Sequence, residues 1–188
     1  MAWQREMGWQ RLDERGQERC VFACEEELCL LAGAGGIAIN GSGLVYEYRV
    51  ELDTRWQVMR TGIVAHLGAE EFHVLLERRD GDSWTMDGVH AAQLEGCTDV
   101  DFEFSASTNT LAIKRLGLEI GEEGHSRAVW ILEPELKLDV LDQHYKRIDA
   151  NRYEYSAGDY STVLEVDDDD VVVHYPGLFE PALEQSLK

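Results

Sequence analysis

The chain has 188 residues, which is enough for one domain, or two small ones, that bury most of the unfolded surface on folding. Its 17 basic and 37 acidic residues give a net charge of -20, which disfavours nucleic-acid backbones and anionic membrane surfaces as partners. No run approaches the ~18 apolar residues of a membrane-spanning helix, and residues 1–16 are too polar for a signal peptide, so the expected compartment is the cytoplasm. With three prolines and no low-complexity linker, residues 1–188 are predicted to form a single domain.

A glycine-rich segment at residues 28–39 is the first informative pattern along the chain. An apolar run leads into a Gly-x-Gly-x-x-Ala spacing that begins at Gly33, which is the spacing of a dinucleotide-binding fingerprint. That fingerprint requires a helix whose amide end holds the pyrophosphate, and the Asn-Gly-Ser-Gly sequence at residues 40–43 comes too early for one. Asn-Gly is typical of a two-residue β-hairpin turn, so we interpret the segment as a strand and a hairpin.

Residues 44–52 form the clearest strand pattern, because large apolar side chains occupy every second position. Similar patterns continue along the chain, separated by turns rich in Gly and Asp. The further predicted strands are 56–65, 71–78, 100–104, 127–133, 135–141, 152–156, 160–166 and 171–175. Strands with tight turns and no alternating helices predict an all-β, mainly antiparallel architecture. A sheet this long must curl, close or stack, since open twisted sheets seldom exceed ~10 strands.

One helix is predicted, directly after the strand at residues 100–104. Ser107 or Thr108 can cap its N-terminus, and residues 109–116 supply an apolar flank followed by two basic side chains that suit its negative end. Gly117 can then terminate the helix in the left-handed conformation.

The cysteines and the acidic run do not fit a metal site. Cys20, Cys24 and Cys29 are four and five residues apart, which matches neither a zinc-binding pair nor a CxxC redox motif, and Cys97 is distant. We therefore expect four reduced thiols. The run Asp167–Asp170 lacks the alternating ligands and the glycine of a calcium loop and is predicted to be a solvated turn. No metal and no cofactor are expected.

Motifs spread over residues 43–179 resemble a known family. The residues that carry the resemblance are Gly43, Tyr46, Asp53, Trp56, Trp84, Gly96–Asp101, Asn109–Leu111, Arg115, Leu116, Pro134, Gln143, Tyr145, Tyr153, Tyr155, Asp167 and Tyr175–Leu178. Together they are similar to the bacterial family of putative glycolipid-binding proteins. The chain departs from the family pattern at Ala112 and Lys114, where proline and arginine are expected.

The resemblance implies a spiral β-roll, which is a long, strongly curved antiparallel sheet wrapped around a single helix. It is loosely like the lipoprotein-carrier fold and usually forms a homodimer. The family's name implies an amphiphilic ligand such as a glycolipid.

Asp99, Asp101 and Arg115 are the first group of candidate ligand-binding residues. The two carboxylates are two residues apart on a predicted strand and therefore share a face, as a general acid/base pair or a cation site would require. In the structural alternative, one carboxylate pairs with Arg115 and fixes the helix, while the other is solvated. We expect this alternative, with at least one carboxylate bonded to Arg115 or to backbone amides.

Aromatic side chains are the second group, because planar rings with a polar rim suit sugar recognition. Aromatic residues also form the cores of β-proteins, so most of these rings are expected to be ordinary packing. The group comprises Trp56, Trp84, Trp130, Tyr145, Tyr153, Tyr155, Tyr175 and Phe179. From both groups and the family motif, the candidate ligand-binding residues are Trp56, Trp84, Asp99, Asp101, Asn109, Arg115, Tyr145, Tyr153 and Tyr175.

Three functions are compatible with these observations. The favoured one is a non-catalytic binding protein that holds an amphiphile in the concave interior of the roll. The second is an enzyme that acts on a small carbohydrate-like or lipid-like substrate through Asp99 or Asp101. The third is a dimeric structural or interaction module whose interior is filled with side chains.

Overall fold

A computed structural model describes residues 3–39, 41–79 and 82–182 of the chain. These residues form fifteen strands and one α-helix, α1 (Ser107–Leu116), together with a short 3₁₀ turn at Ala92–Leu94. The strands are β1 (Trp3–Arg11), β2 (Gly16–Cys24), β3 (Cys29–Ile39), β4 (Ser42–Leu52), β5 (Val58–Leu67), β6 (Glu70–Arg79), β7 (Ser83–Met86), β8 (Val89–His90), β9 (Asp99–Phe102), β10 (Glu123–Leu132), β11 (Lys137–Arg147), β12 (Arg152–Ala157), β13 (Tyr160–Val166), β14 (Val172–His174) and β15 (Phe179–Pro181).

The strands build two strongly curled sheets. The first sheet has nine strands in the order β15-β1-β2-β3-β4-β5-β6-β7-β8, and the second has six in the order β14-β13-β12-β11-β10-β9. In the described parts of the chain the paired strands are antiparallel, apart from β9, which runs parallel to β10. The predicted all-β fold around a single helix is confirmed.

Strand β3 runs unbroken through the segment whose glycine spacing is that of a nucleotide fingerprint. Strand β4 returns beside it as the predicted hairpin, although Asn40 of the turn lies outside the described residues. The glycines are required for packing, because a Cβ at Gly33 would overlap the ring of Tyr48, which lies across β3 from the neighbouring strand. The same holds for Gly35 and the ring of Tyr46.

Helix α1 lies between the two sheets and hydrogen-bonds to both. The hydroxyl of Ser107 is 3.0 Å from the hydroxyl of Tyr48 on β4, and the Asn109 side chain donates to the Tyr145 hydroxyl on β11 over 3.0 Å. The first seven residues of the helix are buried. It ends as predicted at Gly117, whose φ of 56° lies in the left-handed region that favours glycine.

The start of α1 differs from the prediction. Ala106 occupies the N-cap position, and no side-chain capping bond is made there. The two predicted caps have tertiary partners instead. The Ser107 hydroxyl is 3.0 Å from the hydroxyl of Tyr48 on β4, and the Thr108 hydroxyl accepts from the backbone N–H of Phe102 on β9 over 3.2 Å.

The expectation of four reduced thiols is wrong for two of the cysteines. Cys24 ends β2, Cys29 begins β3, and the hairpin places their Cα atoms 4.1 Å apart, where they form a disulfide. Cys20 and Cys97 are free and buried. The pairing depends on the register of two adjacent strands, and β2 was not predicted as a strand.

Each strand predicted from residue 44 onwards overlaps an observed strand, with shifted ends. The strand predicted at 56–65 begins later, at Val58, because Trp56 sits in the preceding turn with a φ of 63°. Strands β1 and β2 were not predicted, since their polar residues obscure the alternation.

Candidate functional site

Asp99 is held by a set of structural partners. Arg115 donates to its two carboxylate oxygens over 2.8 Å and 2.6 Å, and the hydroxyls of Ser126 and Thr98 donate over 2.6 Å and 2.8 Å. The Asp99 side chain is only 1% exposed and that of Arg115 is 16% exposed. The expected ion pair is therefore present, and it joins the C-terminal turn of α1 to β9.

Asp101 belongs to a separate polar group. The Gln143 amide donates to the Asp101 carboxylate and to the Tyr155 hydroxyl, each over 2.9 Å. Burial raises the pKa of Asp101 to about 6, although the hydrogen bond from Gln143 acts in the opposite direction. The Tyr155 ring in turn contacts the rings of Tyr145 and Tyr175, with centroid distances of 5.1 Å and 5.9 Å.

The structure thus brings four of the predicted candidates together around Tyr155. They are Asp101, Asn109, Tyr145 and Tyr175, and all four are buried. Their hydrogen bonds and ring contacts connect α1 to β11, and link β9 with β11 and β12 within the second sheet. The buried polar groups of this network hydrogen-bond to one another, and such networks hold the packed strands and helix in one arrangement.

The other aromatic candidates lie apart from this network. Trp84 is fully buried and its indole N–H donates to the carbonyl of Cys97 over 3.0 Å, so it is a core residue. Tyr153 is buried beneath the guanidinium of Arg147, which lies 5.2 Å from its ring centroid. Trp56 is partly exposed and lies near Lys114, at the C-terminal end of α1.

The concave interior, where a ligand was expected, is filled with side chains. Tyr46 and Phe104 pack with ring centroids 4.4 Å apart, and Tyr48 and Phe102 pack at 5.0 Å. A gap beside Trp9 is too narrow at every point to hold a water molecule. This interior is packed like an ordinary protein core.

Glu18 is a buried acid that the sequence analysis missed. It points inward from β2, and its carboxylate accepts hydrogen bonds from the hydroxyls of Tyr48 and Ser105. Burial raises the pKa of Glu18 to about 7, although both hydroxyls act in the opposite direction. Its alternation with Cys20 and Phe22 on β2 was the signal that could have identified it as an inward-facing acid.

The outer face of the first sheet carries an apolar groove of about 550 Å³. It crosses β3, β4, β5 and β6, and the outward residues lie in two cross-strand rows. One row is Ala32, Arg49, Gly62 and Leu75, and the next is Ala34, Glu47, Val64 and His73. Small and aliphatic side chains form the floor, while the arginine, the glutamate and the histidine supply polar groups above it.

Gly62 lines the groove and has no side chain to fill it. A Cβ at this position would meet no atom within 4 Å, so the glycine leaves open space on the outer face. Its neighbours across the strands are Arg49 and Leu75, which flank that space with one charged and one apolar side chain. The groove can therefore contact both parts of a molecule that has an apolar chain and a polar head.

The described residues contain neither a metal-binding cluster nor a membrane-spanning helix. Within residues 3–39, 41–79 and 82–182, no group of three or more His, Cys, Asp or Glu side chains could hold a metal ion. His125 and His144 are cross-strand neighbours with ring centroids 4.7 Å apart, but the part of the chain that is described gives them no third ligand. No helix among the described residues is long and apolar enough to cross a membrane.

Comparisons with known proteins identify a family and a similar solved structure. The family model described as "Putative glycolipid-binding" matches residues 6–181. The chain is similar to the crystal structure of a DUF1089 family protein from Pseudomonas aeruginosa, with a TM-score of 0.72 and 28% sequence identity, covering 96% of this chain and 91% of that one. No curated protein matches the chain.

Proposed function

The chain belongs to the putative glycolipid-binding family, and we propose that it is a non-catalytic protein that binds an amphiphile of the glycolipid class. The observation that carries the proposal is the groove on the outer face of β3–β6. The groove holds the apolar chain of the amphiphile. The interior, where the ligand was expected, is filled with side chains. A cytoplasmic location remains a prediction.

The dimensions and lining of the groove support this assignment. A volume of about 550 Å³ lies within the range of roughly 300–1,000 Å³ that small-molecule sites occupy. Ala32, Val64 and Leu75 offer apolar contacts for the methylene groups of an alkyl chain. Each methylene group that becomes fully buried contributes about 0.8 kcal/mol to binding. Arg49 and Glu47 stand on the exposed side of β4, where they can donate to and accept from the hydroxyls of a sugar.

The proposal is tested by filling the groove with Gly62→Phe. A phenylalanine side chain at position 62 would enter open space, so the protein should still fold while the ring fills the groove. Gly43→Phe is the matched control, because Gly43 is also a strand glycine with open space around its Cβ and does not line the groove. The probe is octyl β-glucoside below its micelle concentration, measured by titration calorimetry.

We expect Gly62→Phe to weaken octyl glucoside binding by about tenfold or more, and Gly43→Phe to leave it unchanged. Methyl β-glucoside, which lacks the alkyl chain, should bind far more weakly to the native protein. Equal affinity for octyl glucoside in both variants would overturn the assignment to this groove.

A homodimeric interaction module is the second candidate, because the packed interior leaves the same outer face as an apolar surface. Val45 on that face is 58% exposed, and Val64 and Leu75 are partly exposed. If the face joins two copies, Gly62→Phe should shift a dimer to monomer in analytical ultracentrifugation without added amphiphile. An unchanged sedimentation coefficient would exclude this face as the dimer interface.

A further inference from the structure

Lys114 projects from the last turn of α1 into a pocket walled by two tryptophans. Its ammonium lies 4.6 Å from the ring centroid of Trp3 and 4.8 Å from that of Trp56. The two indoles are 5.9 Å apart and inclined at 75°, so their faces meet around one point. Two aromatic faces directed at a cation form an aromatic cage, which here comprises Trp3, Trp56 and the space between them.

The wall formed by Trp56 is held in an unusual conformation. Its φ of 63° lies in the left-handed region, which is rare for a bulky side chain. The turn that imposes it is fixed by Asp53, whose carboxylate accepts from the backbone N–H groups of Arg55 and Gln57 over 2.8 Å and 2.9 Å. Both tryptophans of the cage are partly exposed, so it opens to solvent.

The open side of the cage is strongly acidic. The carbonyl of Asp169 accepts a hydrogen bond from the Lys114 ammonium over 2.5 Å. Burial lowers the pKa of Lys114, while the carboxylates of Asp167, Asp169 and Asp170 act in the opposite direction. Two of these carboxylates are partly neutralised by arginines at 3.0 Å, Asp167 by Arg5 and Asp170 by Arg147. The net charge of -20 adds a long-range attraction for cations.

We infer that the cage between Trp3 and Trp56 is a binding site for an organic cation with a methylated ammonium group, and that Lys114 fills it in the absence of that ligand. This site is separate from the proposed amphiphile site, since the residues lining the groove do not include those of the cage.

The chemistry of the walls selects the ligand class. Ring faces attract a cation without supplying lone pairs, so a metal ion would find too few oxygen ligands there. A methylated ammonium sheds its weak hydration readily and fills the space between two rings, whereas a primary ammonium is more strongly hydrated. Lys114 is tethered by a flexible four-carbon stem, so it competes with an added cation as an intramolecular ligand and can be displaced by it.

The experiment uses tetramethylammonium chloride as the probe and the indole N–H signals in a ¹H–¹⁵N spectrum as the readout. Lys114→Ala empties the cage, and Lys137→Ala is the matched control because it removes one positive charge at an exposed site, 72% accessible, on β11. Sodium chloride at equal ionic strength corrects for salt effects. The same spectrum reports whether each variant is folded.

In Lys114→Ala we expect saturable shifts confined to the indole signals of Trp3 and Trp56, with an affinity about tenfold or more above that of the native protein and of Lys137→Ala. Adding Trp56→Asn, which suits the left-handed backbone, should abolish them. No saturable shift in folded Lys114→Ala, or the same affinity in Lys137→Ala, would show that the cage is only a clamp between β1 and α1.

A second measurement uses the native protein and does not depend on how a variant folds. Displacement of Lys114 should expose its amine, so tetramethylammonium should raise the rate at which an acylating reagent labels Lys114, as quantified by mass spectrometry. Labelling of Lys137 should stay constant. An unchanged labelling rate at Lys114 under saturating tetramethylammonium would overturn the inference.

Discussion

At the scale of single residues, buried acids decide how the fold responds to pH. Glu18 and Asp101 are both buried, and each accepts hydrogen bonds only from neutral donors among the contacts described above. Burial raises their pKa values to about 7 and about 6. Asp99 differs because Arg115 supplies a positive partner. The distinction is physical: an ionised acid without a cation costs free energy in an interior, and a paired one costs less.

Glu18→Gln tests this account. The pKa of Glu18 is raised from the ordinary value of 4.5 to about 7, so its stabilising effect is complete below about pH 4.5 and is lost as the pH rises through 7. Glutamine cannot ionise and keeps an oxygen that can accept from Tyr48 and Ser105. Between about pH 4.5 and pH 8, the variant should gain roughly 3 kcal/mol in free energy of unfolding relative to the native protein.

The measurement is urea denaturation of both proteins across that pH range. Asp101 and Glu133 also have raised pKa values and titrate in both proteins, so their contributions cancel in the difference. Stability curves that run parallel over the whole range would show that the pKa of Glu18 is the same in the folded and unfolded states, which would contradict a raised pKa.

Arg115→Met tests whether the ion pair with Asp99 is structural. Removing the guanidinium leaves a carboxylate that is 1% exposed without its cation, so the free energy of unfolding should fall by about 3–5 kcal/mol. Arg127→Met is the control, because the Arg127–Asp142 pair is exposed and should be worth less than about 1 kcal/mol. At equal folded fraction, Arg115→Met should bind octyl glucoside as the native protein does. Native stability combined with lost binding would instead place Arg115 in the site.

At the scale of elements, the sequence correctly predicted the strand and the helix end that depend on the local pattern of residues. Strand β4 and the end of α1 at Gly117 follow from alternation and from a left-handed glycine, and both are present. The cap of α1 was mispredicted because the hydroxyls of Ser107 and Thr108 bond to groups brought close by the fold. Strand β2 was missed because Glu18 occupies an inward position where an apolar residue is expected, and β1 was missed because its polar residues obscure the alternation.

Leu111→Ala tests the role of α1 as the element that joins the sheets. Leu111 is fully buried, whereas Leu116 is only partly buried. The truncation should lower the free energy of unfolding by about 2–5 kcal/mol, because it leaves a cavity in a packed core. Val45→Ala is the control on an exposed strand position and should change stability by less than about 0.5 kcal/mol.

The same experiment addresses the proposal that residues 1–188 form a single domain. Helix α1 is bonded to both sheets, so denaturation followed by tryptophan fluorescence and by circular dichroism should give one coincident transition in the native protein and in Leu111→Ala. Two separated transitions, with only one of them shifted by the substitution, would contradict a single domain.

At the scale of the whole molecule, the candidate site could not be predicted from the sequence. The groove exists because residues from four strands fall into register on the outer face, and Gly62 has no signal of its own in the sequence. The nine predicted candidates share residue types that suit ligands, but most of them are buried by the fold. The family resemblance correctly gave the curled β architecture. The ligand class that it implies stays a proposal, and the resemblance gave no position for a site in the groove.

The most direct test of the central claim is photo-crosslinking with an alkyl glucoside that carries a diazirine in its alkyl chain, followed by mass spectrometry to locate the modified residues. Because we propose that the chain lies in the outer groove, the label should appear on the outer face of β3–β6, at residues such as Ala32, Val64 and Leu75, and unlabelled octyl glucoside should compete it away. Competable labelling of Tyr48, Phe102 or Phe104 in the packed interior, or of the second sheet alone, would contradict the proposal.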